Sequence, residues 1–155
     1  MTKGAPTAEP ANDIVQHPEG MVGSSATILF VDDNDSLLRV LSEVLVRAGY
    51  RVVQASRAEA AVGILATGAI QPDLVICDVE ILDAKQHNLV HYVRRAFPAM
   101  PLLLISGYDA LTAQHRFGMP ADAPFLQKPF VAAELIERVR ALLSGADRTD
   151  MSDTS

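Results

Sequence analysis

Apolar residues along the chain fall into two alternating patterns. Short continuous runs occur at Thr27 to Val31, Arg51 to Ala55, Pro72 to Asp78, Leu102 to Ile105 and Ala123 to Gln127. Runs of that length, bounded by turn residues, predict strands. Between them apolar residues recur every three or four positions, which predicts helices with one buried face. In the first such stretch Leu37, Val40, Leu41, Val44 and Ala48 share a face. Asp35 or Ser36 is placed to cap it, and Gly49 to end it. Ala58 to Thr67 predicts a second helix, stopped by Gly68. Asn88 to Ala96 predicts a third, with Leu89, Tyr92 and Val93 inward. Asp109 to about Phe117 is a weaker fourth, cut short by Gly118 and Pro120. Val131 to Leu143 is a clear fifth, with Leu135, Val139, Leu142 and Leu143 inward and Ser144-Gly145 as its stop.

Strands alternating with helices define an α/β domain. The strands are apolar throughout, as strands covered on both faces are, so the sheet should be parallel. Right-handed crossovers then wind helices onto both sides. Residues 1–25 read as a tail, because Pro6, Pro10 and Pro18 interrupt them and no apolar period emerges. The domain is expected over 26–144, with a polar C-terminal tail over 145–155.

Composition narrows the picture. Hydrophobic residues make up 49% of the 155, which is a folding composition. The formal net charge of −6 argues against direct DNA binding, which needs a basic surface. The single cysteine, Cys77, excludes an internal disulfide and reads as a small core residue. No apolar run approaches the length of a membrane span, and Lys3 is not followed by an apolar stretch of the secretory kind. No membrane contact and a cytoplasmic location are therefore expected.

The candidate chemistry lies at strand ends. Asp32 and Asp33 follow the first predicted strand, Asp78 the third, Ser106 the fourth and Lys128 the fifth. In a parallel sheet these ends share one edge, where ligands of such folds bind. Clustered carboxylates repel one another unless a cation holds them. Mg²⁺ suits an oxygen-only site. A carboxylate beside a cation, a lysine and a hydroxyl can accept a phosphoryl group.

These residues carry a family resemblance. Phe30-Val31-Asp32-Asp33, Asp78 after its apolar strand, Ser106-Gly107 and Lys128-Pro129-Phe130 together resemble the receiver domains of two-component response regulators. The segments Ile105 to Tyr108 and Phe125 to Phe130 look most like receivers of hybrid histidine kinases. The resemblance covers about Ala26 to Ser144. It implies a flavodoxin-like, five-stranded parallel sheet in the order 2-1-3-4-5. It implies Asp78 as phosphoacceptor and Asp33 as direct Mg²⁺ ligand. Asp32 would assist through water, and the backbone carbonyl of Glu80 would complete the metal set. Ser106 and Lys128 would contact the phosphoryl group, Lys128-Pro129 would be cis, and Ser106 with Phe125 would form a switch. Glu80 and Tyr108 would flank the path of attacking water. The donor would be a histidine kinase or a histidine phosphotransfer protein, and signalling would pass to a downstream protein target, with pairing to a second copy open to it.

The pattern departs from the family after Asp78, where Ile81, Leu82 and Gln86 replace the usual Met-Pro pair and glycine. The expected function is a stand-alone phosphoacceptor. The alternative is a receiver-like interaction domain that works without phosphorylation. An aspartyl phosphatase of small molecules fits less well, since no segment is available for a substrate cap. His87 and His91 stand four apart but make a poor metal site on their own.

Overall fold

The computed structural model describes residues 14–15, 26–79 and 84–154, with backbone alone at 14–15, 84–88 and 145–154. In chain order its elements are β1 (Ile14–Val15), β2 (Thr27–Val31), α1 (Asp35–Arg47), β3 (Arg51–Ala55), α2 (Ala58–Thr67), β4 (Leu74–Asp78), α3 (Ala84–Ala96), β5 (Leu102–Ser106), α4 (Ala110–Phe117), β6 (Phe125–Gln127) and α5 (Ala132–Thr154). They build one sheet in the order β1-β3-β2-β4-β5-β6. All pairings among β2 to β6 are parallel. Taken alone, these five strands have the expected order 2-1-3-4-5, in a doubly wound, flavodoxin-like fold.

The sheet separates two apolar layers because side chains alternate along each strand. On one side Ile28, Phe30, Ile76, Leu103 and Ile105 pack against Leu41 and Leu45 of α1 and Leu135 and Val139 of α5. On the other side Leu29, Val31, Val75, Cys77 and Leu104 meet Leu65 of α2, Leu89 and Val93 of α3, and Ala113 of α4. Burying a leucine or isoleucine side chain of this kind contributes about 1.5–3 kcal/mol.

Several boundaries differ from those predicted, each for a local reason. The last parallel strand begins at Phe125 and not at Ala123. Ala123 closes a turn by donating its N–H to the Pro120 carbonyl, and Pro124 has no N–H for a ladder. Helix α5 runs through Ser144-Gly145 to Thr154. Glycine costs a helix interior only about 1 kcal/mol, so without a left-handed turn it does not stop one. The segment expected as an N-terminal tail contributes β1, which pairs antiparallel with β3.

Helix α1 differs in its cap and in its face. Asn34 is the N-cap, and its side chain accepts from the Leu37 N–H at 3.1 Å. Neither Asp35 nor Ser36 does so, because both already lie inside or at the first turn of the helix. The buried residues are Leu38, Leu41, Ser42, Leu45 and Val46, while Val40 is 56% exposed. Leu37 to Val46 is apolar on most sides, so spacing alone leaves two candidate stripes, and packing on the sheet selects the one about a residue further on. Gly49, at φ 107°, takes the left-handed turn expected of it.

This assignment predicts that Leu41→Ala lowers the unfolding free energy by about 2–5 kcal/mol. Val40→Ala should change it by less than about 0.5 kcal/mol. Urea titration of the two variants checks which stripe faces the core.

Candidate functional site

Register places the polar residues of interest. Val31 pairs with Cys77, Asp78 with Ile105, and Ser106 with Gln127. Asp32, Asp78, Ser106 and Lys128 therefore stand in a row along the carboxyl edge of β2, β4, β5 and β6. Alternation continues past the strand ends. Asp32, Asp78 and Lys128 follow Phe30, Ile76 and Leu126 on the side covered by α1 and α5. Ser106 follows Leu104 on the opposite side, where Phe125 also packs.

Lys128 ties three strand ends together. Its backbone N–H donates to the Ser106 carbonyl at 2.7 Å, and its ammonium sits 2.7 Å from Oδ2 of Asp78. The Asp78 side chain is 4% exposed and that of Lys128 24%, so the ion pair is half shielded from water. The Lys128–Pro129 peptide is cis.

Asp32 is 1% exposed. Its Oδ1 accepts the Asn34 N–H at 2.9 Å, whereas Oδ2 has no hydrogen-bond partner among the described residues. Burial is the main force on this carboxyl and pushes its pKa up to about 7. The Asn34 amide opposes that rise, the neighbouring Asp78 charge adds to it, and Lys128 pulls it back. With one lysine between two carboxylates, a negative charge is left over when both ionise.

Ser106 is fully buried, and its Oγ accepts the Tyr108 N–H at 2.9 Å. The Tyr108 ring lies on α4, with its centroid 5.8 Å from that of Phe117 and the Arg116 guanidinium 5.3 Å away. The Cys77 thiol is buried beside the site and pushed up in pKa, first by burial and then by the Asp78 charge. That favours its inert, protonated form.

The sequence-derived set is thus only partly assembled. Asp32, Asp78 and Lys128 converge, and Ser106 ends the adjoining strand. Asp33 is exposed in the loop before α1. Glu80, with Ile81 and Leu82, lies outside the described residues, as do the side chains of Gln86 and His87. Phe125 is half-buried against the α2–α4 side of the core. Two residues were not foreseen. Asn34 supplies the amide that fixes Asp32, a contact hinted at by the Asp-x-Asn spacing of a side-chain turn. Arg138 of α5 donates from Nη1 to the Phe125 carbonyl at 2.6 Å, which no local pattern announces.

An orphaned, buried carboxylate oxygen beside a second carboxylate suits a hard divalent cation better than it suits an apolar group or an anion. Among the described residues no group of three or more His, Cys, Asp or Glu side chains is placed to hold a metal. Asp32 and Asp78 fit such an ion, and further oxygens would come from Asp33, from backbone or from water.

Comparison with known proteins agrees with this architecture. The response regulator receiver domain family model matches residues 28–140. The chain belongs to that family. It is 34% identical over 115 residues to the response regulator protein FleR of Pseudomonas aeruginosa, covering 74% of this chain and 24% of FleR. It is 30% identical over 121 residues to the probable transcriptional regulatory protein TcrX of Mycobacterium tuberculosis, covering 78% of this chain and 51% of TcrX. The chain therefore spans between a quarter and a half of these relatives. A crystal structure of a response regulator receiver protein from Sinorhizobium medicae superposes with a TM-score of 0.68 at 33% identity, covering 79% of this chain and 97% of that one. Residues 28–140 are thus a receiver domain of two-component signal transduction, a class of domain that takes phosphoryl groups from histidine kinases. Among the described residues no helix is long and apolar enough to cross a membrane.

The raised pKa of Asp32 has a signed consequence for the metal-free protein. An unfolded chain gives up this proton near the ordinary value of 3.8, while the folded chain holds it to about 7. The stability contributed by the neutral carboxyl is full below the first value and is lost as pH rises through the second. Asp32→Asn should therefore melt higher than the parent near pH 7.5 in chelator. The gap should shrink toward zero near pH 4. Thermal unfolding of both proteins across that range is the check.

Proposed function

We propose that this domain accepts a phosphoryl group on Asp78 from a phosphohistidine of a histidine kinase or histidine phosphotransfer protein, as one step of a phosphorelay. The observation that carries this reading is the Asp78–Lys128 pair at 2.7 Å, set at a strand end next to buried Asp32 and Ser106. An Asp78 carboxylate oxygen forms the new P–O bond while the donor P–N bond breaks, and the electron pair leaves on the imidazole nitrogen. The Lys128 ammonium then pairs with the anionic phosphoryl oxygens, an interaction that strengthens as charge gathers there. In this reading the Ser106 hydroxyl, at the end of the adjoining strand, would contact the phosphoryl group as well.

Mg²⁺ is the cofactor this reading assigns, with Asp32, Asp33, Asp78 and the Glu80 carbonyl as its holders and neutralisation of phosphoryl charge as its contribution. The orphaned Oδ2 of Asp32 supports it. The phosphorylated side chain would carry up to about −2 where the Asp78 carboxylate carried −1, and the extra charge would bias Ser106 and Phe125 together. Phe125 shares a face with Ser106 and is the first residue of β6, so the response would reach the β6 surface and a downstream protein target. A net charge of −6 favours protein over nucleic acid as that target, and the cytoplasm is the compartment proposed.

Incubation with acetyl phosphate and Mg²⁺ should add one phosphoryl mass to the protein. Asp78→Asn should abolish the adduct, and Lys128→Ala should slow its formation by at least about tenfold, a loss of about 1.4 kcal/mol in transition-state binding. An unlabelled parent protein that still binds its partners would instead establish the phosphorylation-independent interaction domain.

A further inference from the structure

The two edges of the sheet are protected unequally. An edge strand offers unpaired N–H and C=O groups to any other strand, and proteins guard it with charges, prolines, brevity or a cover. Strand β6 carries such guards. It is three residues long, is preceded by Pro124, is followed by Lys128-Pro129, and has its Phe125 carbonyl occupied by Arg138. Strand β3 has one of them in its own sequence, the charge of Arg51 at its start. It is Arg-Val-Val-Gln-Ala, with Val52, Val53 and Ala55 buried and only Arg51 charged.

The backbone shows what β3 exposes. Arg51 N–H donates to the Ala26 carbonyl and the Ala55 carbonyl accepts from Asp32, so residues 51, 53 and 55 turn their polar groups toward β2. Val52 and Gln54 therefore turn theirs outward. β1 meets that edge with Ile14 opposite Val53 and Val15 opposite Val52. In an antiparallel ladder of this parity Val15 and Val52 are the hydrogen-bonded pair. The cover is two residues long, and Pro10 and Pro18, which lack N–H donors, limit how far it can extend. A strand so short is held weakly and opens at low cost.

We propose that the outer edge of β3 is a strand-docking site kept closed by the chain's own Ile14–Val15, and that its release opens the edge to the β3 edge of a second copy. Two β3 strands related by a twofold axis through Val53 would pair antiparallel, Val52 of one with Gln54 of the other. Such a pair uses four hydrogen bonds and joins two sheets into one. Self-complementarity makes a second copy the fitting partner. This inference is independent of phosphoryl transfer and concerns the edge of the sheet farthest from β6.

The test uses the full chain. Val15→Pro removes the N–H that β1 gives to β3, while leaving extended backbone allowed. Sedimentation velocity over a concentration series should show the mass of this variant rising toward twice that of the parent. Adding Gln54→Pro, which removes an outward N–H and spares the β2 ladder, should return it to the parent value. Circular dichroism melts confirm that each variant is folded. Equal masses for the parent and a folded Val15→Pro protein would overturn the proposal. So would a mass increase that Gln54→Pro leaves unchanged. If the double variant does not fold, Val52 amide exchange in Val15→Pro decides, since an open edge exchanges faster at low concentration and slower at high.

Discussion

The ion pair between Lys128 and Asp78 is the contact on which the edge of this sheet depends. Four strand ends converge there with three buried or half-buried charged groups, and carboxylates cannot sit side by side in a low-dielectric crevice without a counter-charge. Lys128 provides it from the far side of β5, and its backbone holds Ser106 while its side chain holds Asp78. The lysine is therefore both a charge and a clasp. Asp32 carries what the single lysine does not neutralise, which is why burial leaves its proton on up to about pH 7.

The same edge sets stability against chemistry. A core of two apolar layers can hold Asp32, Asp78 and Ser106 at or below 3% exposure only because the layers continue beneath them. Phe30, Ile76 and Leu104, one turn of the alternation below, have no or almost no exposed surface. The polar row rests on rigid strands and not on loops, which fixes its spacing. Polar groups that are only half satisfied in such a place are costly, and a bound cation or anion relieves them.

Much of this was readable from the chain. Apolar runs named the strands because a sheet covered on both sides needs no polar face, and Thr27–Val31 and Arg51–Ala55 hold residue for residue. The row Asp32, Asp78, Ser106, Lys128 was readable because each polar residue follows an apolar run. What escaped was decided by packing between distant segments. The stripe of α1 could not be chosen when Leu37 to Val46 is apolar nearly all round. The Arg138 contact with Phe125 spans two elements and leaves no spacing to detect. The pairing of Ile14–Val15 depends on a lightly guarded neighbour 37 or more positions on, and two residues make no period. Asp33, alike in sequence to Asp32, differs from it by facing water, since neighbours on a strand end point opposite ways.

Arg138 has a mechanical meaning as well. It fastens the first half of α5 to the backbone of the last strand, so the two turn as one piece about that junction. The helix has 23 residues, a rod of roughly 35 Å. Tilting such a rod by about five degrees at its fastened end carries its tip some 2–3 Å by simple leverage. Sub-ångström adjustments near Phe125 would thus be magnified where the chain leaves the domain.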